Sequence, residues 1–303
     1  MIHLKTLSKH IFAYSLFSLP ILSDNPSMTP PPTSATTVSP IAAIGDDTFQ
    51  KELSSSKHTS DKNTIAFYDK MGREPVWFFQ GNLTKCGQIA VETLKDAALD
   101  GLNPEDYEDA TISGVHPKNW VDAEILLTKR YLEYINHIRT GRVDPARISR
   151  EIKFQSSQTH PVEILIDAIH DKTSQSRKLR NMGPNIPQYA HLKKILAHYR
   201  SLAQQNEDWP IIKISKPLRL GDISPEIKTL RQILILHGDL KDDKGISSKF
   251  DKNVDLALRQ FQTRHTLEAD GVVGGKTKDA LNEPIEDLIR KVVINMERLP
   301  LVA

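Results

Sequence analysis

Helical periodicity dominates residues 61–205. Apolar residues recur three or four positions apart, which is the spacing of one helix face, and predict helices over residues 84–99, 121–139 and 188–203. Residues 161–170 form a further short helix candidate. Residues 174–181 are basic and polar and are predicted to form a solvated loop. This part of the chain is therefore predicted to be a helical domain.

Three shorter helices are predicted between residues 218 and 281. The apolar face of the first consists of Ile223, Ile227, Leu230 and Leu234, and Gly238 is a natural C-cap for that helix. Asp251 is a predicted N-cap for the second helix, and the third ends at Leu281. The fold class is therefore mainly α, with a helical domain followed by a small three-helix bundle.

The N-terminal 60 residues have a different pattern. Residues 1–22 combine two lysines with an uncharged, apolar run that is too short to span a bilayer, which is typical of a signal peptide. Residues 23–60 are rich in Pro, Ser and Thr and predict a flexible linker. The sequence therefore predicts export, with no stable membrane span after signal cleavage.

The charge balance and the cysteine count argue against a nucleic-acid partner and an intramolecular disulfide. The 40 Lys and Arg residues nearly balance the 38 Asp and Glu residues, so the formal net charge of +2 lacks the field that nucleic-acid binders use. A nucleic-acid partner is not expected. Cys86 is the only cysteine, so an intramolecular disulfide cannot form.

The small bundle resembles the peptidoglycan-binding module of many cell-wall enzymes. Its motifs are a Leu-Arg-x-x-Leu-x-x-x-Gly helix at residues 230–238, an Ala-x-x-x-Phe-Gln helix at 257–262 and an Asp-Gly-Val-Val-Gly-x-x-Thr turn at 270–277. They occur in the expected order and spacing. Two departures are Leu258, where the family has Val, and Thr266, where a Gly usually follows the His.

The resemblance extends to the helical domain. Tyr68 and the segments 73–77, 100–107 and 141–145 look like the scaffold domain of the large periplasmic L,D-transpeptidases, and residues 295–298 match the segment that precedes their catalytic domain. The resemblance implies a protein of the periplasm or cell envelope. The implied domains are a signal peptide (1–22), a flexible linker (23–60), a helical scaffold domain (61–210), a peptidoglycan-binding domain (215–283) and a truncated linker to an absent catalytic domain (284–303).

Catalysis in that family depends on a cysteine within a His-Gly-Cys segment, which this chain does not contain. His237-Gly238 is followed by Asp239, and Cys86 falls in the first turn of a predicted scaffold helix, where a structural thiol is expected. No histidine pattern indicates a metal site. We therefore expect no catalytic residue, no metal and no cofactor.

The candidate ligand-binding residues lie in the small bundle. Peptidoglycan presents carboxylates, hydroxyls and amides, so a binding surface needs hydrogen-bond donors beside aliphatic walls. The candidates are Arg259, Gln260, Gln262, Arg264, Asp270 and Gly271. For two of them a structural role remains open, because Asp270 also fits a turn cap and Gly271 also fits a turn geometry that favours glycine.

Three functions are compatible with these features. The first is a non-catalytic envelope protein that binds peptidoglycan. The second is the N-terminal part of a split or truncated L,D-transpeptidase that cross-links peptidoglycan stems. The third is a scaffold that recruits other cell-wall enzymes, and the sequence does not rank it.

Overall fold

The computed structural model describes residues 47–55, 61–109, 112, 120–142, 160–205, 209–241 and 247–299. The predicted signal peptide at residues 1–22 lies outside these ranges, as does most of the predicted linker. The elements are α1 Asp47–Leu53, α2 Lys62–Lys70, β1 Phe78–Phe79, β2 Asn82–Leu83, α3 Lys85–Lys95, α4 Trp120–Thr140, α5 Pro161–His170, α6 Gln175–Arg180, α7 Pro187–Gln205, α8 Glu226–Leu236, α9 Lys252–Arg264, α10 Gly275–Leu281 and α11 Ile285–Arg298. The mainly α fold is confirmed.

The chain divides into two compact units. Among the described residues, the large unit contains those between 47 and 200 and residues 289–299, and the small unit contains those between 201 and 288. Each unit has its own hydrophobic core. None of the helices among the described residues is both long and apolar enough to cross a membrane.

Helix α4 is the central element of the large unit. Its buried side chains recur with helical spacing along 21 residues and contact α2, α3 and α5. Helix α3 packs beside it and is N-capped by Thr84, whose Oγ1 accepts a hydrogen bond from the Gly87 amide at 3.1 Å. The helices predicted over residues 84–99, 121–139, 161–170 and 188–203 are confirmed, although the first ends earlier and continues as a 3-10 helix over Ala97–Asp100.

A buried carboxylate joins α4 to the segment before β1. The side chain of Glu124 is fully buried, and its two oxygens accept hydrogen bonds from the backbone amides of Val76, Trp77 and Phe78 at 2.7–2.9 Å. The Tyr68 hydroxyl donates to the same carboxylate at 2.8 Å. Burial raises the pKa of Glu124 to about 7, while these hydrogen bonds act in the opposite direction.

The prediction of a solvated loop at residues 174–181 is wrong, because Gln175–Arg180 forms helix α6. Its one apolar residue, Leu179, is fully buried, and the Tyr131 hydroxyl donates to the Leu179 carbonyl. The Asp171 side chain accepts a hydrogen bond from the Ser174 amide at 3.0 Å just before the helix. A single apolar position in six residues gives no periodic signal, although it is enough to anchor one turn.

The ends of the folded region also differ from the prediction. Within the predicted linker, Asp47–Leu53 forms α1, which packs against α4 and buries Phe49 and Leu53 in the core of the large unit. Residues 285–298, within the predicted truncated linker at 284–303, form α11, which buries Val292 and Met296. Apolar pairs spaced four apart supply both helices with a buried face.

The small unit contains α8, α9 and α10 around one core. Asp251 is the N-cap of α9, since its Oδ1 accepts from the Asn253 and Val254 amides at 2.9 and 3.1 Å, as predicted. Gly238 has a φ of +77° immediately after α8, which fits its predicted capping role. Ile223 is not on the buried face of α8, because the helix begins three residues later and 75% of Ile223 is exposed.

Candidate functional site

A buried glutamine positions the turn at residues 270–274 against α9. Gln262 is completely buried, and its Oε1 accepts a hydrogen bond from the Gly271 amide at 2.9 Å. Its Nε2 lies 2.8 Å from Asp270 Oδ1, 3.1 Å from the Val272 carbonyl oxygen and 3.2 Å from Thr277 Oγ1. One side chain therefore joins the helix, the turn and the start of α10.

The turn also depends on its own aspartate and glycine. Asp270 accepts a hydrogen bond from the Val272 amide at 2.9 Å, and this bond is the main reason that the pKa of its exposed carboxyl is lowered. Gly271 has a φ of +69°, and a β-carbon there would lie 2.6 Å from Arg259 Nη2. The structural roles left open for Asp270 and Gly271 are therefore present in the molecule.

Arg259 is half-exposed beside this turn. Its Nε donates to Asp255 Oδ2 at 2.9 Å, and its Nη1 donates to the Ala269 carbonyl at 2.6 Å. The hydrogen bond that Arg259 donates to Asp255 is the main reason that the pKa of Arg259 is raised. A ligand can reach the rest of the guanidinium, but the positive charge already has an acidic neighbour.

Arg264 is buried, whereas a direct binding role requires an accessible side chain. Its side chain is 2% exposed and pairs with Asp239, whose side chain is completely buried. Burial raises the pKa of Asp239 to about 7, and the adjacent guanidinium acts against that rise. Arg264 and Asp239 therefore form an ion pair inside the small unit.

The structure brings four of the six predicted residues together. Arg259, Gln262, Asp270 and Gly271 meet at the turn, whereas Gln260 and Arg264 do not take part in its hydrogen bonds. Gln260 is exposed and lies about 160° around the helix from Gln262, because successive residues are about 100° apart.

Sequence reasoning missed the partners and the burial of these residues. Asp255, Asp239 and Thr277 supply the contacts described above but were not among the candidates. The burial of Gln262 had a signal, since it lies eight residues after Val254 and therefore shares its helix face. A polar residue at such a position indicates an internal hydrogen-bonding role.

The thiol of Cys86 lies in the first turn of α3, in the large unit. It is half-buried and packs beside the hydrophobic core. Burial raises its pKa, and the nearby Lys85 lowers it to a smaller extent. This environment disfavours the thiolate, which is the reactive form of cysteine.

Motif residues of the large unit also cluster around α11. The carbonyl oxygen of Glu297 would lie 2.9 Å from a β-carbon at Gly141, and Glu297 Oε1 accepts from the Arg142 amide at 3.2 Å. Met296 Sδ would lie 3.7 Å from a β-carbon at Gly101. The last turns of α11 therefore pack against two glycines, Gly101 and Gly141.

Two family models match the chain. Residues 62–196 match the model described as a scaffold domain, and residues 224–281 match the model described as a peptidoglycan binding domain. The first is a domain associated with L,D-transpeptidases. No curated protein matches the chain. The chain therefore carries a scaffold domain and a peptidoglycan-binding domain, in that order.

Proposed function

We propose that this protein is exported to the cell envelope and binds peptidoglycan there through residues 215–283. The observation that carries the proposal is the match of residues 224–281 to the peptidoglycan binding domain, on a segment that folds with its own core. The preceding scaffold domain supports a role beside L,D-transpeptidases. Peptidoglycan lies outside the cytoplasm, so the proposal includes cleavage of residues 1–22 and a periplasmic location.

The accessible binding groups are proposed to be Arg259, Gln260 and the outer edge of Asp270. Gln262 and Gly271 are proposed to act through the shape of the turn, since their polar groups already bond within the unit. Arg264 is proposed to support the same surface from inside through its pair with Asp239. The candidates thus divide into those that meet the ligand and those that hold them in place.

The proposed role is binding without catalysis by the described residues. Support comes from Cys86, because an acyl-transfer nucleophile requires an accessible thiolate with a base beside it. The half-buried Cys86 has a raised pKa, and the first charged group that affects it is Lys85. A Cys86→Ser variant should therefore retain peptidoglycan binding and the stability of the fold, as measured by sedimentation and thermal unfolding.

Co-sedimentation with purified sacculi tests the proposal directly. The full chain should pellet with sacculi, and a variant that lacks residues 215–283 should remain in the supernatant. The deletion variant must keep its helical circular dichroism, which the separate core of the large unit leads us to expect. If the folded full chain stays in the supernatant, the proposed function is wrong.

The proposed compartment needs its own measurement. Cell fractionation should recover the protein with a periplasmic marker, and N-terminal sequencing should find a mature chain that starts near residue 23. Full-length protein in the cytoplasmic fraction would contradict export.

A second candidate function is that of a non-catalytic portion of an L,D-transpeptidase. The match of residues 62–196 to the scaffold domain favours it, because that domain is associated with these enzymes. Sequencing the DNA downstream of the reading frame distinguishes the two. A following frame that encodes His-Gly-Cys would support a split enzyme, and cross-linking activity on mixing the two products would establish it.

A further inference from the structure

The small unit has a second surface beside the turn at residues 270–274. It consists of exposed cationic and aliphatic side chains, and we call it the basic aliphatic face. Its members are Arg219, Leu220, Ile223, Lys249, Lys252 and Leu256.

Backbone pairing places most of these residues side by side. The Gly221 amide donates to the Phe250 carbonyl at 2.9 Å, and the Phe250 amide donates to the Asp222 carbonyl at 2.8 Å. Ile223 and Lys249 pair as an antiparallel bridge. The segment that carries Arg219 to Ile223 therefore runs alongside the segment that leads into α9.

Helix α9 follows this segment directly, since it begins at Lys252, three residues after Lys249. Lys252 and Leu256 are four residues apart, so they lie on the same side of the helix, opposite its buried positions. The nearby Asp251 is already engaged, since Oδ1 caps the helix and Oδ2 accepts from Arg231. Its carboxylate is therefore occupied rather than turned toward Lys252.

The exposed apolar area is large for so few residues. Ile223 is 75% exposed, Leu256 is 60% exposed and Leu220 is 50% exposed. Isolated exposed apolar residues are ordinary, but several of them on adjoining segments of a small domain are typical of a binding surface. A ligand with aliphatic groups would cover them.

The cations of the face make no ion pair with any described residue. The structure pairs Arg231, Arg259, Arg264 and Lys278 of the small unit with acids, whereas Arg219, Lys249 and Lys252 have no such partner within the described ranges. The nearest acid on the same segment is Asp222, and its Oδ2 accepts from the Arg219 backbone amide at 2.9 Å. Three cations thus stand against this one carboxylate, so the face carries a net positive charge and attracts an anionic ligand.

We propose that the basic aliphatic face binds the peptide stem of peptidoglycan. This inference rests on the proposed function, and it specifies which part of the polymer the small unit recognises. The stem joins carboxylates to the methyl groups of alanine, so the cations pair with the carboxylates while Leu220, Ile223 and Leu256 cover the methyl groups. The uncharged glycan strand offers no group that matches the cations.

The test compares two double variants of the full chain with the same loss of charge. Lys249→Gln with Lys252→Gln changes the face, and Lys228→Gln with Lys276→Gln changes two exposed lysines of the small unit outside it. Calorimetric titration measures the Kd for a synthetic alanyl-glutamyl-diaminopimelyl-alanine stem and for its fully amidated analogue. The same titration is run with an uncharged N-acetylglucosamine oligosaccharide, and sedimentation is run with intact sacculi.

The expected result is stem binding that becomes about tenfold weaker in the face variant and stays unchanged in the matched variant. The amidated stem and the N-acetylglucosamine oligosaccharide should bind more weakly than the free stem. If the face variant pellets with sacculi and binds stems as well as the wild type, the inference is wrong while the proposed function stands. A wild type that fails to pellet with sacculi would overturn both.

A second copy of the chain is the alternative occupant of this face. In that case analytical ultracentrifugation would show a dimer that Leu256→Ser dissociates, while the retention of this variant on sacculi would equal that of the wild type. That combination would also overturn the inference. A monomeric wild type with weaker stem binding in Leu256→Ser supports it.

Discussion

Replacing Gly141 by alanine should destabilise the large unit, because Gly141 contacts the last turns of α11. Gly141 has a φ of +75°, and a β-carbon there would lie 2.9 Å from the Glu297 carbonyl oxygen. Gly72 is a matched control, since its φ is +73° and no atom lies within 4 Å of a β-carbon at that position. Comparing the two variants separates the cost of placing a β-carbon at positive φ from the cost of its contact with α11.

The magnitudes follow from these two effects. A β-carbon at left-handed φ costs about 1–2 kcal/mol, and the reduced freedom of the unfolded chain returns about 0.4–1 kcal/mol at both sites. At Gly141 the overpacking against a backbone oxygen adds about 1–3 kcal/mol. We therefore expect Gly141→Ala to lower the free energy of unfolding by about 1–4.6 kcal/mol and Gly72→Ala by about 0–1.6 kcal/mol.

Urea unfolding followed by circular dichroism gives both values. The same two substitutions are then made in a chain that ends at Pro284 and so lacks α11. There the steric partner of Gly141 is absent, so the two variants should lose similar amounts of stability. Equal losses in the full chain, or an unequal loss that persists without α11, would refute the contact as the cause.

Three further substitutions test other parts of the structure. Arg264→Glu should lower the stability of the small unit by about 3–5 kcal/mol, because it leaves Asp239 buried beside another carboxyl; replacing both residues with apolar ones should recover most of that loss in urea unfolding. The pKa of Glu124 is raised on folding, so the folded state binds the extra proton and stability should fall as the pH rises from about 4.5 to about 7. That fall should be smaller in Glu124→Gln when unfolding is measured across this range. Thr266→Gly should raise the melting temperature through a gain of about 1 kcal/mol, because Thr266 has a φ of +57°, and a lower melting temperature would contradict this account.

Local sequence signals predicted the elements whose determinants lie close together in the chain. Asp251 could be assigned as an N-cap because its partners are the amides of residues 253 and 254. Helix α5 begins with Pro161, a residue that favours the first helical turn, and was predicted with its observed bounds. These signals need no knowledge of the tertiary fold.

Other features depend on contacts between distant residues. The partner of Arg264 is Asp239, 25 positions earlier, so the sequence alone left Arg264 among the exposed donors. Helix α6 is stabilised by the burial of Leu179 and a bond from Tyr131, 48 positions away. A polar residue gives the same sequence signal whether its hydrogen bonds are made with solvent or with another part of the fold. The burial of these residues could therefore not be predicted from composition.

A polar group of the small unit can contribute to ligand binding only as far as it has no partner within the fold. A ligand carboxylate that pairs with Arg259 must compete with Asp255, which already accepts its Nε at 2.9 Å. Lys249 and Lys252 carry no such competitor among the described residues and need only lose water, which exposed cations do at modest cost. Exposed charges are screened by salt, whereas the aliphatic contacts of Leu256 are not. The cations should therefore select an acidic stem and the aliphatic residues should retain it, which is a division of roles that neither group of side chains could fulfil alone.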